Sequence, residues 1–437
     1  MRALLVPDQG TPTLIADEKS LSLCISELSA GTGPIAIDAE RASGFRYSSR
    51  AYLIQLFRRG GGLHLIDPIP LANSPLIAEL NEVIASAETV IHASTQDLPC
   101  LREFGIEPKL LFDTELGARI AGCERVGLAA LCETLLEIAL AKEHSAVDWS
   151  IRPLEQEWLD YAALDVAVLL DLRDKIAELL IAQGKIHWVQ QDFAAILNAP
   201  APRTRNEPWR RTSGMHEIKS RYQMAIIREL WQKRDEIAAQ IDLAPGRLLS
   251  DAVIVALAKS QVKTMDDFLK LPEAKSRIRN EVQKKYITTW LDTFIYASKL
   301  KESDWPALRS KTDSLPVVKI WKSKFPLAFA RLSHARFELS QVAKDLGLPL
   351  ENLVTPETVR KICFDAGKEV AFEASPRLKS SVETQLRLNG AREWQIEKCA
   401  EVLTKALCQT EPLEIAQPAE DSGDNSAPKT AENQPSG

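Results

Sequence analysis

Ile35-Ala36-Ile37-Asp38-Ala39-Glu40 is a short apolar run that ends in two carboxylates two residues apart. The run reads as a strand. Side chains alternate faces along a strand, so Asp38 and Glu40 share one face. Outward from it, Tyr52-Leu53-Ile54-Gln55-Leu56-Phe57 and Leu63-His64-Leu65-Ile66-Asp67 flank Gly60-Gly61-Gly62 and predict a hairpin. Leu76 to Ala85 has helical period, Thr89-Val90-Ile91-His92 is a further buried strand, and helical segments dominate from Leu98 to Ala182. This order predicts an α/β domain with a mixed sheet over residues 12–197.

The chain has 437 residues, enough for about three domains. Its 7 cysteines form no CxxC pair, and no Cys/His cluster has zinc spacing. Neither a disulfide framework nor a structural zinc is therefore expected, and a reducing compartment, the cytoplasm, is the expected location. The apolar stretch after Met1-Arg2 is too short for a signal peptide, and no window approaches a membrane span. Charge is unevenly spread. Residues 1–200 carry a net −12, residues 201–344 a net +12 and residues 345–437 a net −6. A basic middle suits a polyanion, nucleic acid above all, although a Lys/Arg-rich solvated helix surface gives the same count.

Residues 198–214, with three prolines and four arginines, read as a linker. Beyond it the pattern is all-α, and one arrangement recurs. Arg234-Asp235-Glu236-Ile237-Ala238 leads to Leu243-Ala244-Pro245 and Leu248-Leu249-Ser250-Asp251. About a hundred residues later, Arg336-Phe337-Glu338-Leu339-Ser340 leads to Leu348-Pro349 and Leu353-Val354-Thr355-Pro356. Each copy predicts a helix, a Pro-containing turn and an N-capped second helix, giving two small helical domains over 215–300 and 320–409. Residues 410–437 have almost no bulky apolar side chains, so they cannot offset their ordering entropy and predict a disordered acidic tail.

Each acidic motif has a bland reading. D-x-E pairs are mostly solvated, Asp97 before Leu98 could be a helix N-cap, and Tyr161 with Asp165 could be a surface hydrogen bond one helical turn apart. Together they form a specific set. Four carboxylates, Asp38, Glu40, Asp97 and Asp165, can hold two hard divalent cations, Mg²⁺ or Mn²⁺, about 3.5–4 Å apart around a phosphodiester. A phenol at Tyr161 can orient the attacking water.

The set resembles the DEDD exonucleases of the tyrosine subclass, and the ribonuclease D family in particular. Asp38-Ala39-Glu40 is similar to the first motif, His92-Ala93-Ser94-Thr95-Gln96-Asp97-Leu98 to the second, and Tyr161-Ala162-Ala163-Leu164-Asp165-Val166 to the third. Tyr52-Leu53-Ile54-Gln55-Leu56, Asp113-Thr114-Glu115 and Asp148-Trp149-Ser150-Ile151-Arg152-Pro153-Leu154 point to ribonuclease D within the superfamily. The helical copies resemble the HRDC domain, the second more divergently. The resemblance implies a ribonuclease H-like fold and metal-dependent hydrolysis of RNA from a free 3′ end, with tRNA precursors and other small stable RNAs as substrates and nucleoside 5′-monophosphates as products. It assigns Asp38, Glu40 and Asp165 to one metal, Asp38 and Asp97 to the other, and Tyr161 to the water. Ala39 departs from the family's D-T-E.

RNA contacts are expected at Lys142 and Arg152, which flank Asp148-Trp149-Ser150. Others are expected in two basic clusters, Arg203, Arg205, Arg210 and Arg211 beside Trp209, and Lys275, Arg277, Arg279, Lys284 and Lys285 ahead of Trp290. His92 reads as a buried strand-end histidine, Trp149 as core and Gln55 as sheet support. A monomer is expected. The rival readings are a DNA 3′–5′ exonuclease of the same superfamily and a non-catalytic nucleic-acid-binding scaffold.

Overall fold

The computed structural model describes residues 2–140, 147–200, 206–308, 315–366 and 370–413. The chain divides into two compact units, Met1–Asp313 with Gly347–Asn352, and Ser314–Leu346 with Leu353–Gly437.

The first unit is built on a six-stranded mixed sheet. Its strands are β2 (Leu14–Ile15), β3 (Ile35–Arg41), β4 (Ala51–Arg58), β5 (Gly62–Ile66), β6 (Glu88–Ile91) and β7 (Leu110–Asp113), in the order β2-β5-β4-β3-β6-β7. A separate pair joins β1 (Arg2–Leu4) to β8 (Ile138–Leu140). β4 and β5 are the antiparallel hairpin expected from the triple glycine, and β3 runs antiparallel to β4 and parallel to β6. Ile35, Ala36 and Ile37 are fully buried, as befits a central strand covered on both faces. Between the helical segments that dominate from Leu98 to Ala182 lie two short strands, β7 and β8, which the sequence pattern did not single out. Leu110–Asp113 is only four residues long, and periodicity cannot separate so short an apolar run from helix.

The Gln156–Ala167 helix packs across β3, β4 and β5, burying Trp158, Leu159, Ala162, Ala163, Leu164 and Val166. Small residues at 162 and 163 let it approach the sheet closely. That approach puts Tyr161 and Asp165 over the carboxylates of β3.

The helical part of this unit begins at Ser220. Its hydroxyl accepts from the Gln223 N–H while Gln223 Oε1 accepts from the Ser220 N–H, both at 3.2 Å, a capping box that starts the Arg221–Gln240 helix. The Asp251–Lys259 and Ile287–Ser298 helices pack on it around Leu230, Ile254, Phe268, Trp290 and Phe294. Trp209, placed in the linker by its sequence context, belongs to this core at 2% exposure. The expected cap at Ser250 does not form: its hydroxyl is buried without a partner, and Asp251 pairs instead with the buried Arg234 at 2.7 Å.

This helical region grips the segment that follows β3. Asp242 Oδ1 accepts from the Ser48 N–H (2.8 Å), and the Phe45 carbonyl accepts from the Ala244 N–H (3.0 Å). Arg247 donates to the Gly44 carbonyl at 2.6 Å and lies 4.0 Å over the Phe45 ring, while the Tyr47 hydroxyl donates to Asp235 at 3.1 Å. Asp242 holds φ at +48°, a left-handed conformation that Asp tolerates better than most residues.

The second unit is helical, built mainly on Pro326–Asp345, Pro356–Asp365, Pro376–Leu388 and Glu393–Leu407, with Trp321, Leu386, Trp394 and Leu403 in its core. From Pro326 onward the chain repeats the order of the first copy: a 20-residue helix, a one-turn helix at Leu350–Leu353, then a third helix. Here the expected cap is made, with Thr355 Oγ1 accepting from the Thr358 N–H at 3.2 Å. Of the expected tail, the Leu413 N–H donates to Ser333 Oγ, and residues 414–437 lie outside the described residues.

Candidate active site

Asp38 and Glu40 leave β3 on the face covered by the Gln156–Ala167 helix. One carboxylate oxygen from each of Asp38, Glu40 and Asp165 lies within 4.8 Å of the others. The Tyr161 hydroxyl hydrogen-bonds Asp165. Asp97 approaches this trio without joining it. Its side chain does not cap the Leu98–Phe104 helix; it forms an ion pair with Arg41 at 3.3 Å.

The loop carrying Asp97 is held from β7. Asp113 Oδ2 accepts from the Ser94 N–H (2.8 Å) and the Ser94 hydroxyl (2.6 Å), and its Oδ1 caps the next helix through the Leu116 N–H (3.0 Å). Asp113-Thr114-Glu115 therefore owes its place beside the second motif to the anchoring of that motif. His92 Nδ1 meets Thr114 Oγ1 at 2.9 Å, in keeping with a structural histidine, and burial pushes its pKa down.

Electrostatically the site is under-neutralised. Burial raises the carboxyl pKa of Asp38, opposed by the Ala39 N–H and Arg41. Burial, then Asp38, Asp165 and Asp97, hold Glu40 well above the usual carboxylate range. Burial and Asp38 push Asp97 and Asp165 each to about 8. Burial followed by Asp165 and Glu40 raises Tyr161, so its phenol stays protonated. Like-charged carboxylates crowded in a low-dielectric recess ionise together only when a cation joins them. An all-oxygen donor set of this kind suits a hard divalent ion. Gln55 sits opposite Asp38 in the β3–β4 register, fully buried, and its amide has no hydrogen-bond partner.

The RNA-contact expectations divide. Arg152 is engaged within the fold: its guanidinium binds both oxygens of the buried Asp67, at 2.6 and 2.8 Å, and the carbonyls of Tyr52, Trp149 and Ile151. Arg210 is likewise occupied, by Glu207 at 2.8 and 3.0 Å and the carbonyls of Ala307 and Leu308, with its guanidinium 4.3 Å over the Trp209 ring. Trp149, Trp209 and Trp290 are at most 2% exposed, so none is a stacking platform for bases. Arg211, Lys284 and Lys285 are exposed, with Lys284 paired to Glu281 at 2.9 Å and Lys285 5.5 Å over the Tyr286 ring. Lys142, Arg203 and Arg205 lie outside the described residues. Sequence reading missed Arg41. Its adjacency to Glu40 was the available signal, but strand alternation placed it on the far face.

Comparison with known proteins gives the same picture. Residues 12–181 match the 3′–5′ exonuclease family, 223–293 the HRDC domain, and 314–407 the 3′ to 5′ exonuclease C-terminal domain. The chain is 30% identical over 262 residues to ribonuclease D of Shewanella sp. (strain ANA-3), covering 59% of this chain and 66% of that one. It is 28% identical over 312 residues to ribonuclease D of Granulibacter bethesdensis, covering 70% and 76%. Among solved structures, a protein from Bifidobacterium adolescentis superposes with TM-score 0.83 at 34% identity, over 93% of this chain and 99% of that one. Escherichia coli RNase D shares the fold, with TM-score 0.63 at 22% identity over 90% and 98%. The carboxylate motifs, the matched domains and these relatives agree, and the chain belongs to the ribonuclease D family of 3′–5′ exonucleases.

Proposed function

We propose that this chain is a divalent-metal-dependent exoribonuclease that acts in the cytoplasm as a monomer. It would hydrolyse RNA from the 3′ end and release nucleoside 5′-monophosphates, with tRNA precursors and other small stable RNAs as substrates. One observation carries the chemistry: the half-buried Asp38, Glu40 and Asp165 converge within 4.8 Å, their pKa values raised by desolvation and, for Glu40 and Asp165, by the neighbouring carboxylates, beside a tyrosine bonded to one of them. RNA as substrate is supported by the relatives named ribonuclease D. No described helix is long and apolar enough to cross a membrane.

Asp38, Glu40 and Asp165 would hold one ion, and Asp38 with Asp97 a second, Mg²⁺ or Mn²⁺. Bound there, the ions supply a lowered water pKa and neutralise charge on the departing oxygen. The chain's own groups do the rest. Tyr161 keeps its proton, so it orients a water by hydrogen bonding without acting as a base. Asp165, whose carboxylate accepts a hydrogen bond from that phenol, fixes the direction in which the tyrosine oxygen points. Asp113 holds the Asp97 loop against β7, which sets the distance between the two halves of the site.

The test uses a 5′-labelled RNA hairpin with a single-stranded 3′ tail, incubated with Mg²⁺, Mn²⁺ or EDTA beside a matched DNA. The expected outcome is a metal-dependent ladder that shortens from the 3′ end of the RNA. Shortening of the DNA with inert RNA, or binding of both without cleavage, overturns the proposal in favour of a DNA exonuclease or a scaffold respectively.

A further inference from the structure

We infer that Arg41 binds a phosphate of the RNA strand entering the carboxylate recess. The inference rests on the exoribonuclease reading and names a contact which that reading lacks.

Strict alternation along β3 would turn Arg41 away from Asp38 and Glu40. The register does not stay strict. The β3–β4 ladder runs Glu40 opposite Leu53 and then Arg41 opposite Ala51, leaving Tyr52 as the extra residue of a bulge. Bulges at strand ends bend the strand and re-aim side chains. At this register shift Arg41 reaches Asp97 at 3.3 Å, and its positive charge acts on Asp38, Glu40 and Asp97 together.

The guanidinium is also largely uncommitted. Beyond the ion pair it makes one long hydrogen bond among the described residues, to Gln96 Oε1 at 3.5 Å, and its side chain is 27% exposed. Arg152 and Arg210 show what a structural arginine in this chain looks like: short bonds to a carboxylate and several carbonyls. Arg41 instead holds a forked set of N–H donors at the edge of an anionic recess, open to solvent on one side. A planar fork matches the paired oxygens of a phosphate, and a recess this acidic would otherwise repel the strand it must admit. Asp97 lies outside the three-carboxylate cluster and is the acid Arg41 holds, so an Asp97 that turns to a cation frees the guanidinium for the strand.

The experiment compares the full-length wild type with Arg41→Gln and Arg41→Lys on a five-nucleotide RNA. Such an RNA makes few contacts away from the site. KM and kcat are measured across a salt series, and Mn²⁺ affinity is measured separately by calorimetry. For Arg41→Gln, KM should rise about tenfold with kcat within about threefold. The slope of log KM against log salt should fall by about 0.7, the release expected for one single-strand phosphate contact. Mn²⁺ affinity should stay within about threefold. Arg41→Lys should keep the salt slope and lose part of the KM effect, because a point charge replaces the fork. An unchanged KM and slope with tighter Mn²⁺ binding would make Arg41 only a counter-ion for Asp97 and overturn the inference. A fall in kcat alone would do the same, since it would mark a residue that merely positions Asp97. A wild type that leaves the RNA intact would overturn the exoribonuclease reading and the inference with it; an active wild type with an indifferent Arg41→Gln overturns the inference alone.

Discussion

Asp38 and Asp242 lie in the same compact unit, joined through the segment that follows β3, and are treated in opposite ways. Burial pushes Asp242 up, but the Ser48 N–H, then Arg50, bring its pKa below the ordinary value. Asp38 has only the Ala39 N–H and Arg41 against burial, and stays raised. Exposed acids elsewhere follow Asp242: Lys259 lowers Glu217, Arg387 lowers Glu393 and Lys379 lowers Glu401. Among the described residues, a chain able to satisfy its carboxylates with hydrogen bonds and cations leaves the Asp38, Glu40 and Asp165 cluster under-neutralised. Uncompensated buried charge is unfavourable, so such a cluster marks a place where something else binds.

The largest expected effect tests that contrast directly. Asp38→Asn should lower RNA hydrolysis by on the order of a thousandfold, several kcal/mol of barrier. It should also stabilise the metal-free protein at high pH. The folded pKa values of Asp97 and Asp165 are about 8, against about 4 for an unfolded carboxyl. Between those values the folded state binds more protons than the unfolded one, so stability in EDTA falls as pH rises from about 4 to about 8. Removing the Asp38 charge lessens the repulsion, and the Tm loss between pH 5 and 8 should shrink. A variant that is less stable than wild type at pH 8 in EDTA would break the contrast.

A smaller effect is expected on the satisfied side. Asp242→Ala removes the acceptor for Ser48 and places alanine at a φ of +48°. It should lower stability by about 1–2 kcal/mol and quicken proteolysis of residues 42–50, with little change in kcat. Unchanged Tm and cleavage would show that the grip of the helical region on the segment after β3 is incidental.

The smallest effect is expected on the basic surface. Lys284→Glu with Lys285→Glu should weaken RNA binding a few-fold and reduce the salt slope by up to about 1.4, since Lys284 already pairs with Glu281. An unchanged slope would leave these lysines as solvated surface.

The carboxylate pair of β3, the hairpin around the glycines and the Tyr161–Asp165 pair were legible because each depends on a backbone period. Two residues return a strand to the same face and four return a helix, wherever the segment lies in the fold. The helix–turn–helix order of both copies was legible for the same reason. What only the tertiary structure decided were pairings between distant segments. Arg41 meets Asp97 where the β3–β4 register shifts at Tyr52, Asp67 takes up Arg152, Trp209 leaves its linker for a core, and Asp242 holds Ser48. Each depends on strand register or on which faces pack together. A one-residue shift changes which groups meet while leaving every local period intact, so local sequence cannot specify them.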